Sequence, residues 1–87
     1  MIGRFEYLVL SSATRLGNGV NGVALRENLD VVDGRLCSLG ALYTTLTRLE
    51  AKGYLETWMG DPTPQRGGKR RRLVRVTEKG HSAASHF

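Results

Sequence analysis

Residues 38–53 read SLGALYTTLTRLEAKG, and the leucines at 39, 42, 46 and 49 fall three or four apart. That spacing lines one side of an α-helix. Ser38 stands where a side-chain oxygen can accept from the first free backbone N–H groups, and Lys52-Gly53 is a common helix ending. A helix is therefore predicted over residues 39–52. The period then changes. YLETWM at 54–59 and RRLVRV at 71–76 alternate in polarity and read as strands, with Leu73 and Arg75 on one side and Val74 and Val76 on the other. Between them, residues 60–68 hold two prolines and three glycines, which no regular element accommodates. A lone hairpin is marginal in water, so this one must pack on the helices.

Upstream, Phe5, Leu8, Val9, Ala13 and Leu16 recur at helical spacing, which predicts a first helix over 3–16 stopped by Gly17. Asn18 is positioned to cap a second helix over 20–29, with Val20, Val23, Ala24 and Leu25 facing inward. Gly22 inside that helix costs about 1 kcal/mol against alanine, unless a close helix contact needs the missing side chain. Thr77 can cap a fourth helix containing Ala83, Ala84 and Phe87. The expected class is α+β, mainly α: three helices, a two-stranded hairpin with a long basic loop, and a fourth C-terminal helix. The 87 residues are expected to form one domain, 1–87, with a thin core that makes help from a second copy plausible.

The net charge is +5, and seven of the thirteen Lys and Arg fall between Arg66 and Lys79, where Glu78 is the one acid. Such a patch suits a polyanion: nucleic acid, an anionic membrane or an acidic protein. One cysteine, Cys37, and two histidines, His81 and His86, build neither a disulfide frame nor a Cys/His zinc site. No Ser/His/Asp set or phosphate-binding glycine loop is present, so neither a catalytic constellation nor a cofactor is expected. YLVLSSA after Arg4 faintly resembles a secretory leader, but Glu6 interrupts it and helical periodicity runs past it. No apolar run is long enough to span a membrane, and a reducing cytoplasm is the expected location.

On the predicted 39–52 helix, Gly40, Ala41, Thr44 and Arg48 lie opposite the leucines, flanked by Thr47 and Thr45, with Tyr43 beside the stripe. Two readings stay open: a face kept slim to enter the ~12 Å major groove of DNA, or a plain solvated face. Its shortage of Glu and Lys favours the first. Two helices joined by a short connection, the second slim-faced, make a helix-turn-helix, and the basic loop would flank the groove as a wing. Charge crowded on a loop tip is tolerable against a phosphate rail, where bound counterions are released. Gly67 and Gly68 would let that loop approach closely.

FEYLVLSSATRLGNGVNGVALRENL and the stretch from GRLCSLGALYTTLTRLEAKGYL through RGGKRRR to TEKG resemble the winged-helix domain of PadR-like transcriptional regulators. The resemblance implies a cytoplasmic bacterial repressor that dimerises and binds a near-palindromic double-stranded DNA operator. In some members a small aromatic or drug-like effector releases the DNA. Carried over residue by residue, the recognition helix would use Ser38, Tyr43, Thr44, Thr45 and Arg48, with Ala41 on the same face. The wing would use Arg66, Gly67, Gly68, Lys69 and Arg70. Asn21 stands where many members have an aromatic, and Leu73-Val74 where they have an aromatic pair. Longer members carry a C-terminal dimerisation region, so this chain resembles a short form or a truncated member, either of which would pair through its first and fourth helices. A winged-helix protein-interaction module with an acidic partner is the alternative function.

Other residues carry two readings each. Arg71 and Arg72 are expected either on phosphate, or paired with acids in the fold or solvated. Arg26 is expected in a surface ion pair rather than on a DNA backbone. Cys37, before a helix N-terminus, is expected as a small packed residue rather than a redox sensor. Trp58 is expected to pack in the core or hairpin rather than to stack on a ligand.

Overall fold

The computed structural model describes residues 2–34, 37–60 and 71–87. The elements run α1 (Arg4–Leu16), β1 (Val20–Asn21), α2 (Gly22–Asp33), α3 (Leu39–Ala51), β2 (Leu55–Met59), β3 (Arg72–Val76) and α4 (Glu78–Ser85). The three strands form one antiparallel sheet in the order β1-β3-β2. Leu55 pairs with Val76 and Met59 with Arg72 along one edge of β3, while Val20 pairs with Val74 and Asn21 with Leu73 along the other.

The core is a leucine cluster. Val9 and Leu10 of α1, Leu25 and Leu29 of α2, and Leu42, Leu46 and Leu49 of α3 are fully enclosed, joined by Leu55 and Val74 from the sheet. Strand alternation puts Val74 and Val76 on the inner face and leaves Arg75 exposed outside, as the sequence period requires.

Four details correct the sequence reading. Val20-Asn21 is a short third strand rather than the start of a helix, and α2 begins at Gly22. Its cap is Asn21, not Asn18: Asn21 Oδ1 accepts from the Ala24 N–H at 2.9 Å. Val23 is 39% exposed, so the inward face of α2 is carried by Leu25 and Leu29. Leu16 is 42% exposed at the end of α1, whose inner face is Val9, Leu10, Ser12 and Ala13.

Helix α2 also runs on to Asp33, past the expected end at 29, and α4 stops at Ser85, short of Phe87, which was expected inside it; the other ends follow local chemistry as expected. Ser38 Oγ accepts from Ala41 N–H (3.0 Å), and Thr77 Oγ1 accepts from Gly80 N–H (3.0 Å). Gly53, with φ +80°, takes the left-handed conformation that ends α3. Thr77 also ties α4 to that ending, donating its hydroxyl to Gly53 O (2.7 Å) and its N–H to Tyr54 O (3.0 Å). Phe87 lies just beyond α4 and stacks on Tyr7 of α1, ring centres 4.5 Å apart.

Candidate nucleic-acid interface

Helix α3 buries the arc formed by Leu42, Thr45, Leu46 and Leu49. At about 100° per residue, the middle of the opposite arc is Gly40, Thr44, Thr47 and Ala51. All four are exposed. This row is as slim as the sequence implied, but it is rotated relative to the expected one. Leu39 is only half-buried, and Thr45 takes its place on the inner side. Thr45 is 7% exposed and its hydroxyl donates to Ala41 O at 3.0 Å, which corrects its expected place beside the outward face.

The two edges of the row differ. Ala41 and Arg48 lie along the edge that leads toward α1, where Lys52 Nζ pairs with Glu6 Oε2 at 3.0 Å. Arg48 is exposed and adds its field to that pair. Partial burial works against ionisation of Glu6. The Gly3 N–H and Lys52 ammonium bonds, with the nearby Arg48 charge, outweigh it and hold the carboxyl below its usual range.

The other edge faces the sheet and carries Tyr43 and Glu50. The Thr57 N–H (3.0 Å) and hydroxyl (2.9 Å) both donate to the Glu50 carboxylate. Arg72 Nη2 donates to Thr57 Oγ1 (3.2 Å), lies 3.6 Å from Glu50 Oε1, and its guanidinium stands 5.8 Å from the centre of the Tyr43 ring. The Thr57 backbone bond is the main reason the Glu50 carboxyl is held below its usual range, with the Thr57 hydroxyl and Arg72 reinforcing it. The Cε1–Oη edge of Tyr43 meets Gly22 at the start of α2. A Cβ on Gly22 would lie 2.7 Å from Tyr43 Cε1. The glycine is therefore explained by close contact between the helices.

Ser38 is exposed, with its side-chain oxygen used as the α3 cap. Thr47 donates its hydroxyl to Tyr43 O at 3.0 Å, leaving lone pairs and a methyl outward. Among the described residues Arg26 is not in the surface ion pair expected of it. Its Nε donates to Cys37 O at 2.6 Å and so braces the turn between α2 and α3. Cys37 itself is half-buried. Arg72 is paired inside the fold and Arg71 is exposed. Trp58 is 42% exposed, cross-strand from Leu73 on the outer sheet face, rather than packed in the core. Arg66, Gly67, Gly68, Lys69 and Arg70 lie outside the described residues. Among the described residues no cluster of His, Cys, Asp and Glu could hold a metal, and no helix is long and apolar enough to cross a membrane.

The Tyr43–Glu50–Thr57–Arg72 grouping was missed from sequence because its members come from three elements. The alternation at 71–76 already placed Arg72 on the same face as Val74, and so toward the helices.

A short-linked helix pair with a slim, exposed second helix, set against a three-stranded sheet whose β2–β3 hairpin forms a wing, is the winged-helix architecture of transcription regulators. The chain belongs to the PadR-like family of transcriptional regulators, whose family model matches residues 9–86. Members of this family are regulators of transcription, not enzymes, and so is this chain. Among solved structures it is similar to a PadR family transcriptional regulator from Eggerthella lenta, at 26% identity and TM-score 0.69, over 95% of this chain and 70% of that one. It is similar in fold to a PadR-like regulator from Bacillus cereus, at 22% identity and TM-score 0.75, over 95% of this chain and 76% of that one. A mutant MarR from E. coli in complex with operator DNA matches at 30% identity and TM-score 0.70, over 98% of this chain and 52% of that one. No curated protein sequence matches the chain.

Proposed function

We propose that the chain is a sequence-specific double-stranded DNA-binding repressor, with α3 as the reading helix and the basic β2–β3 loop as a wing on the phosphate backbone. One observation carries this: the Gly40–Thr44–Thr47–Ala51 row is exposed and slim, with Arg48 along one edge and Tyr43 along the other. Small side chains let a helix settle deep in a major groove, where hydroxyls and a guanidinium can bond base edges. Arg66, Gly67, Gly68, Lys69 and Arg70 would supply the sequence-independent grip. The MarR structure in complex with operator DNA adds support from a similar fold.

The same proposal takes residues 1–87 as one domain, acting in the cytoplasm as a homodimer on a near-palindromic operator. Pairing would use α1 and α4, where Leu16 and Phe87 expose apolar surface. Next to Phe87, a hollow of about 430 Å³ is lined by that ring with Ile2, Tyr54, Ala83 and His86. Its size and apolar walls suit a small aromatic or drug-like effector.

Selection of preferred sites from random duplexes tests the proposal. The expected result is two related half-sites at a spacing of about one helical turn. Enrichment of no sequence would end the case for base reading.

A further inference from the structure

We infer that Arg72 and Glu50 are positioning residues that lock the angle between the reading helix and the wing, with Thr57 and Tyr43 as the parts they hold. This rests on the DNA-reading proposal. Helix α3 and the sheet share their core through Leu42, Leu46, Leu49, Leu55 and Val74, and apolar packing of that kind does not by itself fix rotation about the contact. Farther out, toward the loop joining β2 to β3, the same inner sheet face becomes polar. There Thr57 donates two hydrogen bonds to Glu50, one from the backbone of β2. These are directional, and the backbone bond ties the α3 side chain to the strand itself.

Arg72 closes the arrangement from β3. It reaches Thr57 Oγ1 and Glu50 with one guanidinium nitrogen, and its Cζ stands over the Tyr43 ring at 5.8 Å from the ring centre. The Cε1–Oη edge of that ring lies against Gly22 of α2. Tyr43 is thus held between the first helix of the pair and the root of the wing. The Arg72 side chain is 23% exposed and already engaged with protein groups, which sets it apart from a cation presented to phosphate. Of the two readings the sequence left open for this residue, the internal one fits.

The test uses Arg72→Met, which keeps an unbranched stem but removes the fork, and Glu50→Gln, which keeps one acceptor for Thr57 but removes the second acceptor and the charge. Affinity is measured on the duplex selected by the wild-type protein and on a scrambled duplex across a salt series. Residual dipolar couplings on the DNA-free protein report the orientation of α3 relative to β2 and β3. Both variants should lose about tenfold in preference for the selected duplex, the scale of one lost base contact. Affinity for the scrambled duplex and its salt slope should stay unchanged, and the couplings should show α3 reoriented. Arg72→Lys, which restores charge but not the fork, should recover only part of the preference. Equal weakening on both duplexes, with a slope reduced by about one, would make Arg72 a direct phosphate contact and overturn the inference. Unchanged preference or an unchanged helix orientation would overturn it too. If wild-type protein selects no sequence, the DNA-reading proposal fails separately, and the couplings alone decide whether the lock exists. Should Arg72→Met not fold, Glu50→Gln carries the same outcomes.

Discussion

Gly80 and Gly22 are both glycines at close contacts, and they should answer substitution differently. A Cβ on Gly80 would lie 1.9 Å from the Tyr54 carbonyl oxygen, a backbone atom that also accepts from Thr77 N–H. Backbone cannot step aside without breaking that bond, so Gly80→Ala should destabilise the protein by about 3 kcal/mol, the upper end for overpacking. At Gly22 the obstacle is the Cε1–Oη edge of the Tyr43 side chain, which can shift by a few tenths of an ångström more readily than backbone can. Gly22→Ala should cost less, about 1 kcal/mol, the lower end for overpacking. Urea unfolding of the two variants checks the order, and equal losses would contradict it. The acids supply a second test. Glu6 and Glu50 both have folded pKa values below the ordinary 4.5, so each contributes stability that is present above that value and lost as pH falls through the folded one. Glu6→Gln should therefore flatten the loss of stability below about pH 5 while changing little near pH 7, as read from denaturation midpoints against pH.

At the scale of elements, the sequence was most legible where period and chemistry agreed. The leucine spacing of α3, its Ser38 cap and its Gly53 ending specify one helix three times over, and the Thr77 cap did the same for α4. The failures have physical causes. A two-residue strand such as Val20-Asn21 has no period to detect, and it exists because β3 offers it a free edge. Once β1 forms, the cap of α2 moves from Asn18 to Asn21. Thr45 was misplaced because its hydroxyl is satisfied within the helix, which lets a polar residue sit among leucines. The site was legible as a row of small residues but not as a set of edges, since Arg72, Thr57 and Glu50 meet only after folding. Replacing the α3 cap, Ser38→Ala, should cost about 1 kcal/mol in thermal or urea unfolding. The reading helix and the wing should separate in function. Arg48→Ala should alter base preference and cost about 1–3 kcal/mol on the selected duplex, whereas Lys69→Ala should weaken all duplexes alike and lower the salt slope by about one. Competition binding at several salt concentrations distinguishes the two, and identical behaviour of both variants would count against a division of labour.

For the whole molecule, the exposed apolar groups near α1 and α4 lead to an expected dimer, which sedimentation at high micromolar concentration should show as twice the 9.6 kDa chain mass. Phe87→Ala should shift that equilibrium toward monomer, since the ring is 61% exposed in the isolated chain while one side leans on Tyr7. A dimer unaffected by the change would place the contact elsewhere. The central position of β3 has a consequence of another kind. It joins the strand before α2 to the strand after α3, so both ends of the helix pair are fastened to residues 72–76. During synthesis those residues leave the ribosome after every other part of the helix pair, and Val20 must wait for Val74. A nascent chain halted short of that point would carry α2 and α3 without the strand that joins their two ends, so competence for DNA should rise steeply with the emergence of a single five-residue strand.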